Sequence, residues 1–161
     1  LWVMERLRND EPETKVVVFT GYKATQAFLV ENLRRDGHRV ELFHGGMSLD
    51  QKEAAIRKFR SSADILVSTE AGGEGRNLQF ASVIVNYDLP WNPMRIDQRI
   101  GIIDRWGQES EVIALYNPIT KCTVDAGIYR RCLMRIGVFE RALGANELLL
   151  AETKSKSKEV A

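Results

Sequence analysis

Cysteine is scarce: Cys122 and Cys132 are the only two. Two thiols cannot staple a disulfide framework, and neither stands at metal-ligand spacing from a histidine. They read as reduced thiols of a cytoplasmic protein, with no metal site. No apolar run approaches the ~20 residues of a membrane span, and no signal peptide is present, so no membrane partner is expected. Net charge is also small. Lysine plus arginine number 23 and aspartate plus glutamate 22, a balance of +1. That balance argues neither for nor against a polyanionic partner; a basic surface would have to come from local clustering. A Walker-type Gly-Lys-Ser/Thr loop is missing too, which removes one common grip on a nucleotide's phosphates. The chain opens Leu1-Trp2-Val3 without an initiator methionine and reads as a piece of something longer.

What is there is ordinary globular material. With 161 residues, 44% of them hydrophobic, the chain can bury one domain's core. Residues 1–14 read as the end of a preceding segment and a linker around Pro12, 15–145 as the domain, and 146–161 as a polar, disordered tail. Lys15 to Thr20 is a β-branched apolar run, the pattern of a strand buried on both faces. Gly21 turns the chain, Ala24, Ala27, Phe28 and Leu33 follow at helical spacing, and Gly37 stops that helix. The unit repeats: strand Arg39 to Phe43, turn His44-Gly45-Gly46, then a helix from Leu49 to Arg60 opened by a Ser48/Gln51 capping box. Further strands are expected over Asp64–Ser68, Ser82–Tyr87 and Glu111–Tyr116. Asn92 and Pro93 start a helix with an Ile96, Ile100, Ile103 stripe. A long helix is expected from Thr123 to Leu143. This alternation predicts an α/β fold: an open, mostly parallel sheet with helices on both faces and ligands at the strands' carboxyl ends.

Three blocks carry candidate chemistry. Ser68 to Leu78 holds Gly72, Gly73 and Gly75, which permit close approach of backbone to a ligand, and hydroxyl donors at Ser68 and Thr69. The same glycines would equally suit a plain connecting turn. Asp88-Leu89-Pro90-Trp91-Asn92-Pro93 is a stiff loop in which Trp91 either stacks on a base or packs beneath the loop. Gln98 to Gln108 puts Arg99 and Arg105 on a helix, directed away from the isoleucine stripe. There an arginine either stabilises charge on a transferring phosphoryl group or solvates the helix end. His38 and His44 have no partner nearby in sequence and suggest neither catalysis nor metal. Lys23, Arg34, Arg35, Arg57, Lys58 and Arg60 read as solvating charge, with phosphate contact as the other use.

Together and in this order, Val18-Phe19-Thr20, Phe43-His44-Gly45-Gly46-Met47, Ser68 to Leu78, Asp88 to Pro93 and Gln98 to Gln108 resemble the carboxy-terminal helicase domain of superfamily 2, in its SNF2-like branch. Asn77-Leu78-Gln79-Phe80 and Gln98-Arg99-Ile100-Gly101 are most similar to the bacterial RNA-polymerase-associated type. The resemblance implies a RecA-like fold and the second half of a two-domain motor. ATP with Mg would bind in the cleft between the halves, the phosphate loop and magnesium box lying in the first RecA-like domain. By resemblance, Gly75 and Asn77 approach the nucleotide sugar, and Gln98 and Arg105 its phosphates, Arg105 as an arginine finger. Thr20, Gly21, Gly45, Ser68 and Thr69 approach the backbone of nucleic acid, duplex DNA in this branch. RNA polymerase or another protein is an expected partner. One position departs from the family pattern. Two arginines three residues apart are usual, and Ile102 occupies the first.

Two function classes therefore stand at this point. One is a DNA-dependent ATP hydrolase whose second motor domain, alone, is inactive. The other is a catalytically weakened domain kept as a nucleic-acid or protein interaction module.

Overall fold

A computed structural model of the chain describes residues 13–69, 78–90, 92–104, 107–110 and 112–118. The β-branched run forms strand β1 (Val16–Thr20), buried along its whole length. Helix α1 (Lys23–Arg35) follows, and its basic last turn, Arg34 and Arg35, complements the helix dipole. Gly37, at φ 85°, takes the left-handed turn that ends it. Strand β2 (Val40–Phe43) leads to α2 (Leu49–Ser61). The capping box is present in full: the Ser48 hydroxyl accepts from Gln51 N–H, and the Gln51 side chain accepts from Ser48 N–H at 2.9 Å. Strand β3 (Ile65–Thr69), strand β4 (Val83–Asn86), helix α3 (Pro93–Ile103) and strand β5 (Ala114–Tyr116) complete the described elements. Asn92 caps α3 by accepting from Met94 N–H, with Pro93 in the first turn.

The strands make one sheet in the order β2-β3-β1-β4-β5, with every pairing parallel. Alternate residues of each strand face opposite layers. Val16, Val18, Ile65, Val67, Val83 and Val85 meet Leu29, Val30 and Leu33 of α1. Val17, Phe19, Leu66, Ile84 and Leu115 meet Ala55 and Phe59 of α2 and Ile96, Ile100, Ile102 and Ile103 of α3. The sheet is thus covered on both sides, which is why its strands read as near-continuous apolar runs. Phe19, Phe43 and Phe59 are among the largest fully buried side chains, each contributing about 1.5–3 kcal/mol of burial.

Two sequence expectations need correction. Of the stripe expected on α1, Leu33 is buried, but Ala24, Ala27 and Phe28 face water, and Phe28 is 57% exposed. The buried face is Gln26, Leu29, Val30 and Leu33, which spaces equally well at i, i+3, i+4, i+7. On α3, Arg99 does not point away from the isoleucines. It completes their stripe at i+3 from Ile96 and is 3% exposed. The helix expected over 123–143, the tail over 146–161 and the two cysteines lie outside the described residues. No helix among the described residues is long and apolar enough to cross a membrane.

Candidate functional site

The parallel register brings the carboxyl ends of four strands to one edge. Phe43, Ser68 and Phe19 are partners across β2, β3 and β1, and Phe19 pairs with Asn86 of β4. Along this edge, in spatial order, lie Gly45 after β2, Ser68 and Thr69 ending β3, Thr20 and Gly21 ending β1, and Asp88 after β4. Adjacent strands are about 4.8 Å apart, so the candidate backbone-contacting residues span about 10 Å. The chain leaves β1 toward one side of the sheet and leaves β4 toward the other. Their carboxyl ends therefore flank the switch-point crevice where open α/β sheets bind ligands. A cleft of about 610 Å³ lies there, bordered by Gly21, Tyr22, Tyr87, Asp88, Arg95 and Arg99 among others.

The side chains at this edge differ in what they offer a ligand. Gly21 and Gly45 are exposed, and a Cβ at Gly21 would meet nothing within 4 Å. The backbone there is open to close approach. Thr20 and Ser68 are buried, and their hydroxyls bond within the protein. Thr20 donates to Asp88 Oδ2 and accepts from Tyr22 N–H at 3.3 Å. Ser68 donates to the Thr69 carbonyl at 3.1 Å. His44, for which sequence suggested no partner, accepts from Gly46 N–H on Nδ1 at 3.1 Å and shapes the turn beside Gly45. Gln98 is exposed on α3. Gly75, Asn77, Trp91 and Arg105 lie outside the described residues.

Ile102 is 6% exposed and belongs to the apolar cluster around Phe59. Most of the basic residues read as solvating charge bond to protein. Arg34 caps the Val40 carbonyl at 2.7 Å, Lys58 pairs with Glu41 at 3.8 Å, Arg57 with Glu53 at 4.0 Å and Arg60 with Glu109 at 3.2 Å. Such surface pairs contribute about 0–1 kcal/mol each. Among the described residues no group of three or more His, Cys, Asp or Glu side chains is placed to hold a metal.

Gln26 and Asn86 were not singled out from the sequence, and Arg99 was, but with the opposite orientation. Buried Gln26 donates from Nε2 to the carbonyls of Phe43 (2.9 Å) and Val67 (2.7 Å), bracing β2 and β3 beneath the Gly45 turn. Arg99 donates from Nη1 to Asn86 Oδ1 at 2.6 Å and to the Asp88 carbonyl at 3.2 Å. Its guanidinium also lies over the Phe19 ring at 5.3 Å. Asn86, fully buried, passes the link on from Nδ2 to Asn117 Oδ1 at 2.7 Å. Burial pushes the Arg99 pKa down to about 10; the Asp88 charge pulls the other way and the Arg95 charge adds to the fall. Arg99 is therefore still a cation at neutral pH. A signal existed in each case: a polar residue inside a buried helical stripe or strand, where it needs a polar partner.

A parallel sheet wrapped on both faces, with its candidate residues ranged along the carboxyl edge and a cleft at the switch point, defines a RecA-like α/β domain. The fold is shared with solved helicase domains. The carboxy-terminal part of the Fun30 ATPase domain superposes with a TM-score of 0.72 at 22% identity, over 80% of this chain and 43% of that one. The carboxy-terminal domain of the DEAD-box protein Dbp5 gives 0.64 at 23% identity, over 90% and 78%. The family described as "Helicase conserved C-terminal domain" matches residues 2–107, and the chain belongs to it, in the SNF2-like branch. Similar curated proteins include the "Uncharacterized ATP-dependent helicase YqhH" of Bacillus subtilis strain 168, 44% identical over 140 residues. Another is the RNA polymerase-associated protein RapA of Vibrio vulnificus strain YJ016, 40% identical over 115 residues. The matches cover 87% and 69% of this chain but 25% and 12% of those relatives, so the chain spans about a quarter or less of their length.

Proposed function

We propose that the chain is the second motor domain of an ATP-driven, SNF2-type DNA translocase, inactive in hydrolysis by itself. The observation that carries this reading is the carboxyl edge. Exposed glycine backbone after β1 and β2 stands in line with the end of β3, on a helicase-family fold that has no phosphate loop of its own. A first RecA-like domain would supply that loop and the acidic groups for Mg. ATP would be held between the halves, with Gly75 and Asn77 at its sugar and Gln98 and Arg105 at its phosphates. Arg105 acts as the finger that offsets charge on the transferring phosphoryl group, an effect of about 10³-fold or more in turnover. Because Ile102 packs into the core, this motor works with one finger of the usual pair.

Nucleic acid would run along the edge past Gly45, Thr69 and Gly21. With the Thr20 and Ser68 hydroxyls bonded internally and Gly21 N–H held by Asp88, the contacts there would fall mainly to the exposed main chain of the Gly45 turn, which can grip phosphates without reading sequence. Closure of the two domains on ATP and reopening after hydrolysis would move the strand. RNA polymerase is the proposed protein partner, on the strength of the relatives named for that association. The test joins this domain to its own first motor domain and measures ATP hydrolysis with and without duplex DNA. Turnover that rises with DNA supports the motor. A folded two-domain protein inert under both conditions refutes it and leaves the interaction module.

A further inference from the structure

Asp88 sits between two parts of the edge that the motor reading assigns to different ligands. Its carboxylate oxygen Oδ2 accepts from the Thr20 hydroxyl and from Gly21 N–H at 3.1 Å, both in the segment next to nucleic acid. Its main-chain carbonyl accepts from Arg99 Nη1 at 3.2 Å. Arg99 follows Gln98 on α3, the helix assigned to the nucleotide. One residue thus receives hydrogen bonds from both sides.

The sheet does not need Asp88 to hold β1 beside β4. Their ladder runs from Val16↔Val83 to Phe19↔Asn86, and Tyr87 N–H still reaches the Phe19 carbonyl at 2.9 Å. Asp88 lies just past the last of these contacts. It is half-buried rather than in the core. A hydrogen bond in that setting is strong enough to align a loop and weak enough to break and re-form within a working cycle. Arg99, carried on α3, is held in one geometry by Asn86 and the Phe19 ring, and its second bond, to the Asp88 carbonyl, ties α3 to the Asp88 main chain.

We propose that Asp88 is a positioning residue that couples nucleotide occupancy, sensed on α3, to the placement of Thr20 and Gly21 against nucleic acid. The inference rests on the motor reading above. Displacing α3 by a fraction of an ångström pulls the Asp88 carbonyl through Arg99, and the Asp88 carboxylate carries Thr20 and Gly21 with it. Coupling of this kind travels through contiguous contacts, and a loss of coupling is what demonstrates it.

The experiment uses the domain joined to its first motor domain. Steady-state ATP hydrolysis is followed against duplex DNA concentration for the parent, Asp88→Ala and Asp88→Asn, alongside thermal melting. Asp88→Ala is expected to melt near the parent and to lose about tenfold of the DNA stimulation, its stimulated turnover falling much further than its basal turnover. Asp88→Asn, whose side-chain oxygen still accepts both bonds, is expected to restore most of that stimulation. Three results overturn the proposal while leaving the motor intact: stimulation unchanged in Asp88→Ala, basal and stimulated turnover falling together, or Asp88→Ala failing to fold. The last would show that the strand ladder is not sufficient without Asp88. A parent that DNA does not stimulate overturns the motor reading, and the coupling falls with it.

Discussion

Removing either end of the buried Arg99–Asn86 link should harm the fold, and the two ends should not cost the same. Arg99→Met keeps the length and apolar stem of the side chain but withdraws the donor to Asn86 Oδ1 and the Asp88 carbonyl, and the cation over Phe19. Asn86 then keeps its bond to Asn117 but holds a buried oxygen without that donor, a loss of about 1–3 kcal/mol. Part of this is offset, because the desolvation that lowers the Arg99 pKa disappears with the charge. A net cost of about 2 kcal/mol is expected. Asn86→Leu does the reverse: it takes the Oδ1 acceptor from the buried Arg99 guanidinium, which keeps its bond to the Asp88 carbonyl, and it also withdraws the donor from Asn117 Oδ1. A hydrogen bond from a charged donor contributes about 1.5–3 kcal/mol and a buried oxygen deprived of its donor costs about 1–3 kcal/mol more, so Asn86→Leu should be the more damaging change. Urea unfolding of the chain, followed by circular dichroism, measures both. The reasoning fails if Asn86→Leu costs less than Arg99→Met, or if both lie within about 0.5 kcal/mol of the parent, as surface substitutions do.

Gln26→Leu keeps the size of the side chain but withdraws both of its bonds to the Phe43 and Val67 carbonyls, and is expected to cost about 1–2 kcal/mol in the same assay; a neutral result would mean that Gln26 does not brace β2 and β3. Burial raises the Asp64 carboxyl, but the hydrogen bond and charge of Arg39, with Lys15, outweigh it and hold the pKa below the ordinary value. With the folded pKa under the unfolded one, this stabilisation is present above about pH 4 and fades as pH falls through the folded value. Asp64→Asn should therefore flatten the acid limb of a pH–stability profile, and parallel limbs in the two proteins would contradict the pair. Ile102→Arg brings a charge to a side chain that is 6% exposed, so the melting temperature should fall with a loss of about 2 kcal/mol or more. An unchanged melting temperature would show that residue 102 is not committed to the core.

How legible the fold was depended on the kind of signal. Each described strand was foreseen within a few residues, because a strand buried on both faces must be an unbroken apolar run and little else in the chain has that pattern. The Ser48 cap and the Asn92-Pro93 start were legible for a local reason: a side chain bonding a backbone N–H two or three residues on needs no tertiary partner. Helix rotation was harder. On α1 the expected stripe joined Leu33, which is buried, to Ala24, Ala27 and Phe28, which are not. Leu29, Val30 and Leu33 pack on the sheet, and Gln26 can join them because its amide reaches two strand carbonyls that chain order leaves far apart, at separations of 17 and 41 residues.

The sequence by itself determined the alternation of strand and helix, the glycine turns, the family and the absence of a phosphate loop, all of which are local or motif-level properties. Only the tertiary structure decided which face of each helix is buried and where the polar residues of that face find their partners. Arg99 shows why. In the linear chain it is a cation beside an isoleucine stripe, equally readable as projecting outward. In the fold, the parallel register puts Asn86 next to Phe19, and α3 lays Arg99 across both. A buried charge persists only where such partners converge, and that convergence exists only once β1, β4 and α3 have packed.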